Sequence, residues 1–215
     1  MPAGGALTRS WARLPDSAHY AQPWRVHELA GDFRLEDVWA LPAEGEREDF
    51  PRLVEAIAAE DPADGSDGPA DAAAWAARVL WSARLKLGAV FGLDDPQKGV
   101  GSRVPTLRER LPDDLRGAPA GPDFGSSLPF SSVYRLEDEW AAEIANRTMH
   151  GVLHVGWVPT AGGADGRYRG QLAILVKPNG ALGRAYMAAI RPFRHRIVYP
   201  AMMRRLEGIW NGREL

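Results

Sequence analysis

The sequence predicts an α+β fold in which a twisted antiparallel sheet receives the apolar stripe of one long C-terminal helix. Three observations predict it. From Pro129 onward the apolar period is two, in runs separated by short turn signals, and consecutive strands with short connections pair antiparallel. After Lys177, the turn signal Pro178-Asn179-Gly180 opens a stretch in which Leu182, Tyr186, Ile190, Phe193 and Ile197 recur at the spacing of one helix face. Upstream of the strand run lie helical patterns, so helices and sheet are segregated along the chain.

In chain order, residues 1–18 read as a flexible tail and residues 19–215 as a single domain. Tyr20, Gln22, Trp24, Val26 and Glu28 alternate with their neighbours, which predicts a first strand over Ala21–Leu29, with Pro23 near its start or on an edge. Asp32–Leu41 (DFRLEDVWAL) fits either a short helix or a second extended piece, and Phe50–Ala59 a short helix with Phe50, Val54 and Ile57 on one side. A loop follows near 60–71. Asp71 caps a long helical pattern in which Ala76, Leu80, Ala83, Leu87 and Val90 form the stripe, Trp75, Trp81 and Phe91 widen it, and Gly92 ends it. The stretch 94–128 holds Pro96, Pro105, Pro112, Pro119 and Pro122 and reads as a long loop, with one helical turn at Thr106–Leu111. Strands are predicted at Ser131–Glu137, Glu139–Asn146, Thr148–Val158 and Tyr168–Lys177, and the closing helix runs from Leu182 past Arg205.

Composition narrows the function. The 215 residues are 45% hydrophobic and 25% charged, which suits a soluble globular domain with a core of its own. The net charge of −2 gives no reason to expect a nucleic-acid partner. The chain has no cysteine, which removes disulfides, thiolate catalysis and cysteine-ligated metals and suits a cytoplasmic setting. The first residues lack the apolar run of a signal peptide, and no stretch is apolar for the ~18 residues a membrane span needs.

Several residue groups are candidate sites. His150 and His154 lie in MHGVLHVGW, which reads as a strand, and four residues along a strand span ~13 Å, too far for one metal held at ~2 Å per ligand. They share a face with Val152, Gly156 and Val158, which is either a cavity wall or the outer surface, and a hydrogen-bonded or exposed histidine is the plainer reading. Met149, Gly151, Leu153, Val155 and Trp157 make the more apolar face and are expected to meet the final helix. Gly151 and Gly156 suggest bends that let the sheet curl. Pro192 and Pro200 interrupt the final helix and predict a bend there. Arg191, Arg194, His195, Arg196, Arg204 and Arg205, interleaved with Phe193, Tyr199 and Trp210, make a basic C-terminal face. The acids of Glu137-Asp138-Glu139 read as solvated turn residues. Neither a phosphate-binding glycine loop nor a nucleophile elbow is present, and no metal or cofactor is expected.

The stretches NRTMHGVLHVGWV and YRGQLAILVKPNGALGRAYMAAIRPFRHRIVYPAMMRR, with WSARLKLGAVFGLDDP and HYAQPWRVHEL more weakly, resemble the family called domain of unknown function 2867 over roughly residues 19 to 205. Such proteins look like relatives of the helix-grip superfamily, also called START-like or SRPBCC. The resemblance implies a curved antiparallel sheet wrapped around a long C-terminal helix, with a cavity between them. It transfers no catalytic residue.

These readings converge on a protein that binds a small hydrophobic molecule: a lipid, a polyketide-like compound or an aromatic metabolite. The expected lining is Trp81 and Leu85 from the middle helix, Leu153 and Trp157 from the central strand, and Tyr186 and Ile190 from the last helix. Tyr186 and Arg191 are expected to orient the ligand as hydrogen-bond donors. Two rivals remain: an enzyme of the cyclase or aromatase kind in the same cavity, and a membrane-surface or protein-interaction module using the basic C-terminal helix.

Overall fold

The computed structural model describes residues 10–59, 100, 104–124, 130–146, 148–160 and 166–212. Within them the chain is α+β. Six strands form one curved antiparallel sheet in the spatial order β1-β2-β6-β5-β4-β3. They are β1 (Ala12–Arg13), β2 (Arg34–Gly45), β3 (Ser131–Arg135), β4 (Glu139–Ala145), β5 (Met149–Pro159) and β6 (Tyr168–Pro178). The predicted meander from β3 to β6 is present, with ends within two residues of expectation. Its central members, β5 and β6, bury residues on both faces, which accounts for runs such as LAILV.

The N-terminal third differs from expectation. Residues 10–18, expected in a flexible tail, carry β1 on the sheet edge and lead into α1 (Asp16–Tyr20). The stretch expected as the first strand, Ala21–Leu29, follows α1 directly and holds α2 (Val26–Leu29) instead. Val26, Leu29 and Ala30 are buried at a helical spacing, and this local period overrides the looser alternation around Trp24. Of the two readings of Asp32–Leu41, the extended one is correct: it lies in β2, which pairs with β6. Phe50–Ala58 is α3, as predicted, burying Phe50, Leu53, Val54 and Ile57. The predicted turn near Thr106–Leu111 is a 3-10 helix at Leu107–Arg110, capped by the Thr106 hydroxyl. The loop near 60–71 and the helix predicted after Asp71, with Trp81 and Leu85, lie outside the described residues.

Both faces of the sheet are covered. On one, Trp39, Leu41, Trp140, Val155, Trp157 and Leu172 pack with α3 and with the end of the C-terminal helix. On the other, Val38, Val152, Ala173 and Leu175 pack beneath α2 and the Leu107–Leu115 stretch. The apolar face of β5 therefore meets the last helix, as expected. The histidine face, expected to be a cavity wall or outer surface, lies under the N-terminal segment.

No β-bulge falls at the glycines of β5. Its pairing with β4 and β6 runs without a register shift. Gly156 makes room for Trp24, since a Cβ there would lie 2.5 Å from the indole ring. The register shifts fall in β2 and β3.

The closing helix has three parts: α4 (Gly180–Phe193), a π-helical turn (Arg194–Val198) and α5 (Tyr199–Trp210). Two prolines bracket the turn. Pro200 has no N–H to return to Arg196, and the Tyr199 N–H reaches back five residues to the Arg194 carbonyl. The extra residue rotates the following helix by ~100° relative to an unbroken one. Burial shifts accordingly. Tyr186, Ile190, Phe193 and Ile197, expected to be mostly buried, are half-buried, while Met187, Tyr199, Met203 and Leu206 are the buried apolar side chains. Among the described residues, no helix is long and apolar enough to cross a membrane.

Candidate functional site

The π turn and a β-bulge create one site between them. In β2 the register slips between Leu35, opposite Leu175, and Asp37, opposite Ile174. The slip lets Leu35 join the core under α2 while Asp37 shares the opposite face with Trp39 and Leu41. Asp37 is thereby aimed at the C-terminal helix and is fully buried.

Three side chains of that helix converge on it. The Tyr199 hydroxyl donates to Asp37 Oδ2 at 2.8 Å, His195 Nε2 lies 2.5 Å from Oδ1, and Arg194 Nη2 lies 3.1 Å from Oδ2. In a regular α-helix, residues five apart diverge by ~140°. The wider π turn brings Arg194 and Tyr199 onto one side. Arg13 on β1 adds a longer contact of 3.9 Å. Burial, and then the charge of Asp37, pushes the Tyr199 phenol well above its usual range, so it remains a donor. A neutral His195 that donates Nε2–H to Asp37 keeps Nδ1 as an acceptor. His195 is the more open member of the pair, with 20% of its side chain exposed against none for Asp37. Trp39 packs against the Tyr199 and His195 rings. The Trp39 indole nitrogen and the Arg194 Nε are buried without a hydrogen-bond partner among the described residues.

The site continues across the sheet. Asp37, Ile174, Leu153 and Ala142 are successive cross-strand partners and so form one row on the helix-facing side. Leu153 retains 9% exposure and Ile174 is half-buried, whereas the next row, Trp39, Leu172, Val155 and Trp140, is buried throughout.

The predicted ligand residues distribute unevenly over this geometry. Leu153 lies in the row that begins at Asp37. Trp157 sits farther along β5 in dense packing, near-parallel to Tyr168 and beside Phe50 and Trp210, with its indole N–H donating to the Glu46 carbonyl. Tyr186 and Ile190 are half-buried on α4, and Arg191 is exposed. Trp81 and Leu85 lie outside the described residues. A surface cleft of about 550 Å³ beside Arg47, Arg135, Glu137 and Asp138 includes none of the predicted residues.

Sequence reasoning missed Asp37, and it placed Arg194, His195 and Tyr199 only within a basic, aromatic stretch. The available signal was an acid inside an otherwise apolar strand, DVWAL, where a charge persists only with partners. The same signal stood in WAAEIA and at Glu139. Glu143 accepts from the Leu107 amide, the Thr106 hydroxyl and His150, and Glu139, expected to be solvated, is 2% exposed and bonded to His154. His150 and His154 are thus both buried and hydrogen-bonded, each to a different glutamate.

These features define an α+β protein with a buried acid–histidine seam between its sheet and a π-kinked C-terminal helix. The model of the family described as protein of unknown function (DUF2867) matches residues 29–201, and the chain belongs to that family. The match begins at Leu29, the last residue of the HYAQPWRVHEL stretch. No curated protein and no solved structure matches the chain.

Proposed function

We propose that the protein binds a small, mostly apolar molecule carrying a polar oxygen, held between the sheet and the C-terminal helix in a helix-grip, START-like manner. The carrying observation is the row from Asp37 through Ile174 to Leu153. A fully buried acid with a more open histidine stands at one end, and incompletely covered aliphatic side chains continue it. The half-buried Tyr186, Ile190 and Phe193 of α4 supply further apolar surface near the same helix. Buried donors on Arg194 and Trp39 lie beside His195 and suit a ligand oxygen. Polar recognition passes from the exposed Arg191 to His195 and Arg194. Lipids, polyketide-like compounds and aromatic metabolites fit this description.

A second reading, an enzyme of the cyclase or aromatase kind, draws on the Asp37–His195 pair. A carboxylate that orients an imidazole through one nitrogen leaves the other to move a proton.

Uptake of an apolar fluorescent probe, compared with thermal stability in a Leu153→Trp variant, tests the binding reading. An open row accepts the indole with little change in Tm and loses the probe. Overpacking costs ~1–3 kcal/mol in a filled core. A parent that takes up no probe, together with a Leu153→Trp variant that is strongly destabilised, would refute a pocket here.

A further inference from the structure

On the opposite face of the sheet, three histidines from three elements form a continuous chain. His27 Nε2 lies 3.0 Å from His19 Nδ1, His19 Nε2 lies 3.1 Å from His154 Nδ1, and His154 Nε2 lies 3.0 Å from Glu139 Oε2. Glu139 also accepts from the Tyr134 hydroxyl at 2.9 Å and the Arg25 amide at 2.8 Å. Burial alone would raise its carboxyl, but the His154 hydrogen bond and these donors hold it below the usual carboxylate range. An ionised Glu139 sets every tautomer. His154 must donate through Nε2 and accept at Nδ1, and the same assignment passes to His19 and then to His27. The inner rings are buried, while His27 is half-buried beside the exposed Tyr20. The nearby charges are Glu139 on β4 and Arg25 before α2, with Arg25 paired to Glu28 and Asp114. Burial, and then Glu139, keeps the Tyr134 phenol protonated.

We propose that this chain is a proton-operated latch that fastens the Asp16–Leu29 segment to the sheet, absorbs one proton without loss of a hydrogen bond, and opens on the second. The first proton enters at His27 Nδ1. The His27 Nε2 proton then moves to His19 Nδ1 and the His19 Nε2 proton to His154 Nδ1, while His154 keeps its Nε2 proton and goes on donating to the Glu139 carboxylate. Each of the three gaps still holds one proton, and the two gaps between histidines have reversed direction. A second proton can enter only a gap that already holds one. Two N–H groups then face each other at about 3 Å, and α1 and α2 are pushed from β5. Burial, followed by the neighbouring histidines, lowers His19 from 6.5 to about 3, and burial also lowers His27. A released segment takes up protons near 6.5, so docking is complete above that pH and weakens as pH falls toward about 3.

The test is histidine-tautomer NMR and amide hydrogen exchange on the full chain, corrected for the intrinsic pH dependence of exchange. At pH 7.5 His19, His27 and His154 should be neutral with the proton on Nε2. Between pH 6.5 and 4.5, amides of Asp16–Leu29 should lose protection at least tenfold while those of β5 and β6 hold theirs. In His27→Gln the amide can still pair with His19 but takes up no proton, so the harmless first step is gone and the loss should be at least as large as in the parent. An Nδ1–H tautomer at His19 or His154 at pH 7.5 would overturn the latch. So would equal protection at both pH values, a loss shared by β5 and β6, or a loss in His27→Gln smaller than in the parent.

Discussion

Asp37 and His195, 158 residues apart in sequence, meet at 2.5 Å across the seam between β2 and the π turn. The contact exists because two local irregularities coincide: a bulge that turns an acid toward the helix, and a widened helical turn that presents Arg194, His195 and Tyr199 to it together. Removing the charge of Asp37 leaves Arg194 buried beside a neutral amide. Asp37→Asn should therefore destabilise the protein by ~3–5 kcal/mol, the range for breaking a buried pair from one side. Tyr199→Phe, which strips one donor from a buried carboxylate, should cost ~1–3 kcal/mol. Urea unfolding of both variants measures the order, and a Tyr199→Phe loss equal to or above that of Asp37→Asn would contradict it.

Two glycines give a paired packing prediction. A Cβ on Gly183 would stand 2.1 Å from the Thr148 backbone carbonyl oxygen, and one on Gly156 would stand 2.5 Å from the Trp24 ring. Backbone does not yield as a side chain does. Gly156→Ala should cost ~1–3 kcal/mol and be largely rescued by Trp24→Leu, whereas Gly183→Ala should displace the start of α4 and find no single-site rescue. A double-mutant cycle on Trp24 and Gly156 measures the coupling, and additive losses there would contradict the stated contact.

Stability should depend on acid pH through His19. Its folded pKa is lowered to about 3, chiefly by burial and then by His154 and His27, while the unfolded chain titrates near 6.5. Between those values the unfolded state holds more protons, so stability is complete above 6.5 and declines as pH falls through the window. The slope attributable to one such group is at most ~1.4 kcal/mol per pH unit. Denaturation midpoints from pH 7.5 to 4.5 for the parent and His19→Gln provide the check, with a flatter profile expected in the variant.

Glu143 should fasten the stretch around Leu107 to the sheet. It accepts from the Leu107 amide, the Thr106 hydroxyl and His150, and is 1% exposed. Glu143→Gln keeps an acceptor but loses the charge, and Glu143→Ala leaves several donors unpaired. Limited proteolysis within residues 104–124 should accelerate modestly in the first and strongly in the second, and equal rates in the two would separate this segment from Glu143.

The elements whose signals are local were legible in the chain's residue pattern alone. The two-residue period set the strands from Ser131 to Pro178, and the 3.6-residue period set α3 and the existence of a helix after Gly180. The more apolar face of β5 also identified the side that meets that helix. The placement of the acids depended on long-range packing. Asp37 needed a bulge to change faces, Tyr199 needed the π turn to reach it, and His19 meets His154 across 135 residues. Local periodicity measures which side of an element avoids water. A buried carboxylate is stable only through donors brought from elsewhere in the chain, and their arrival depends on strand order and on irregularities no periodic pattern encodes.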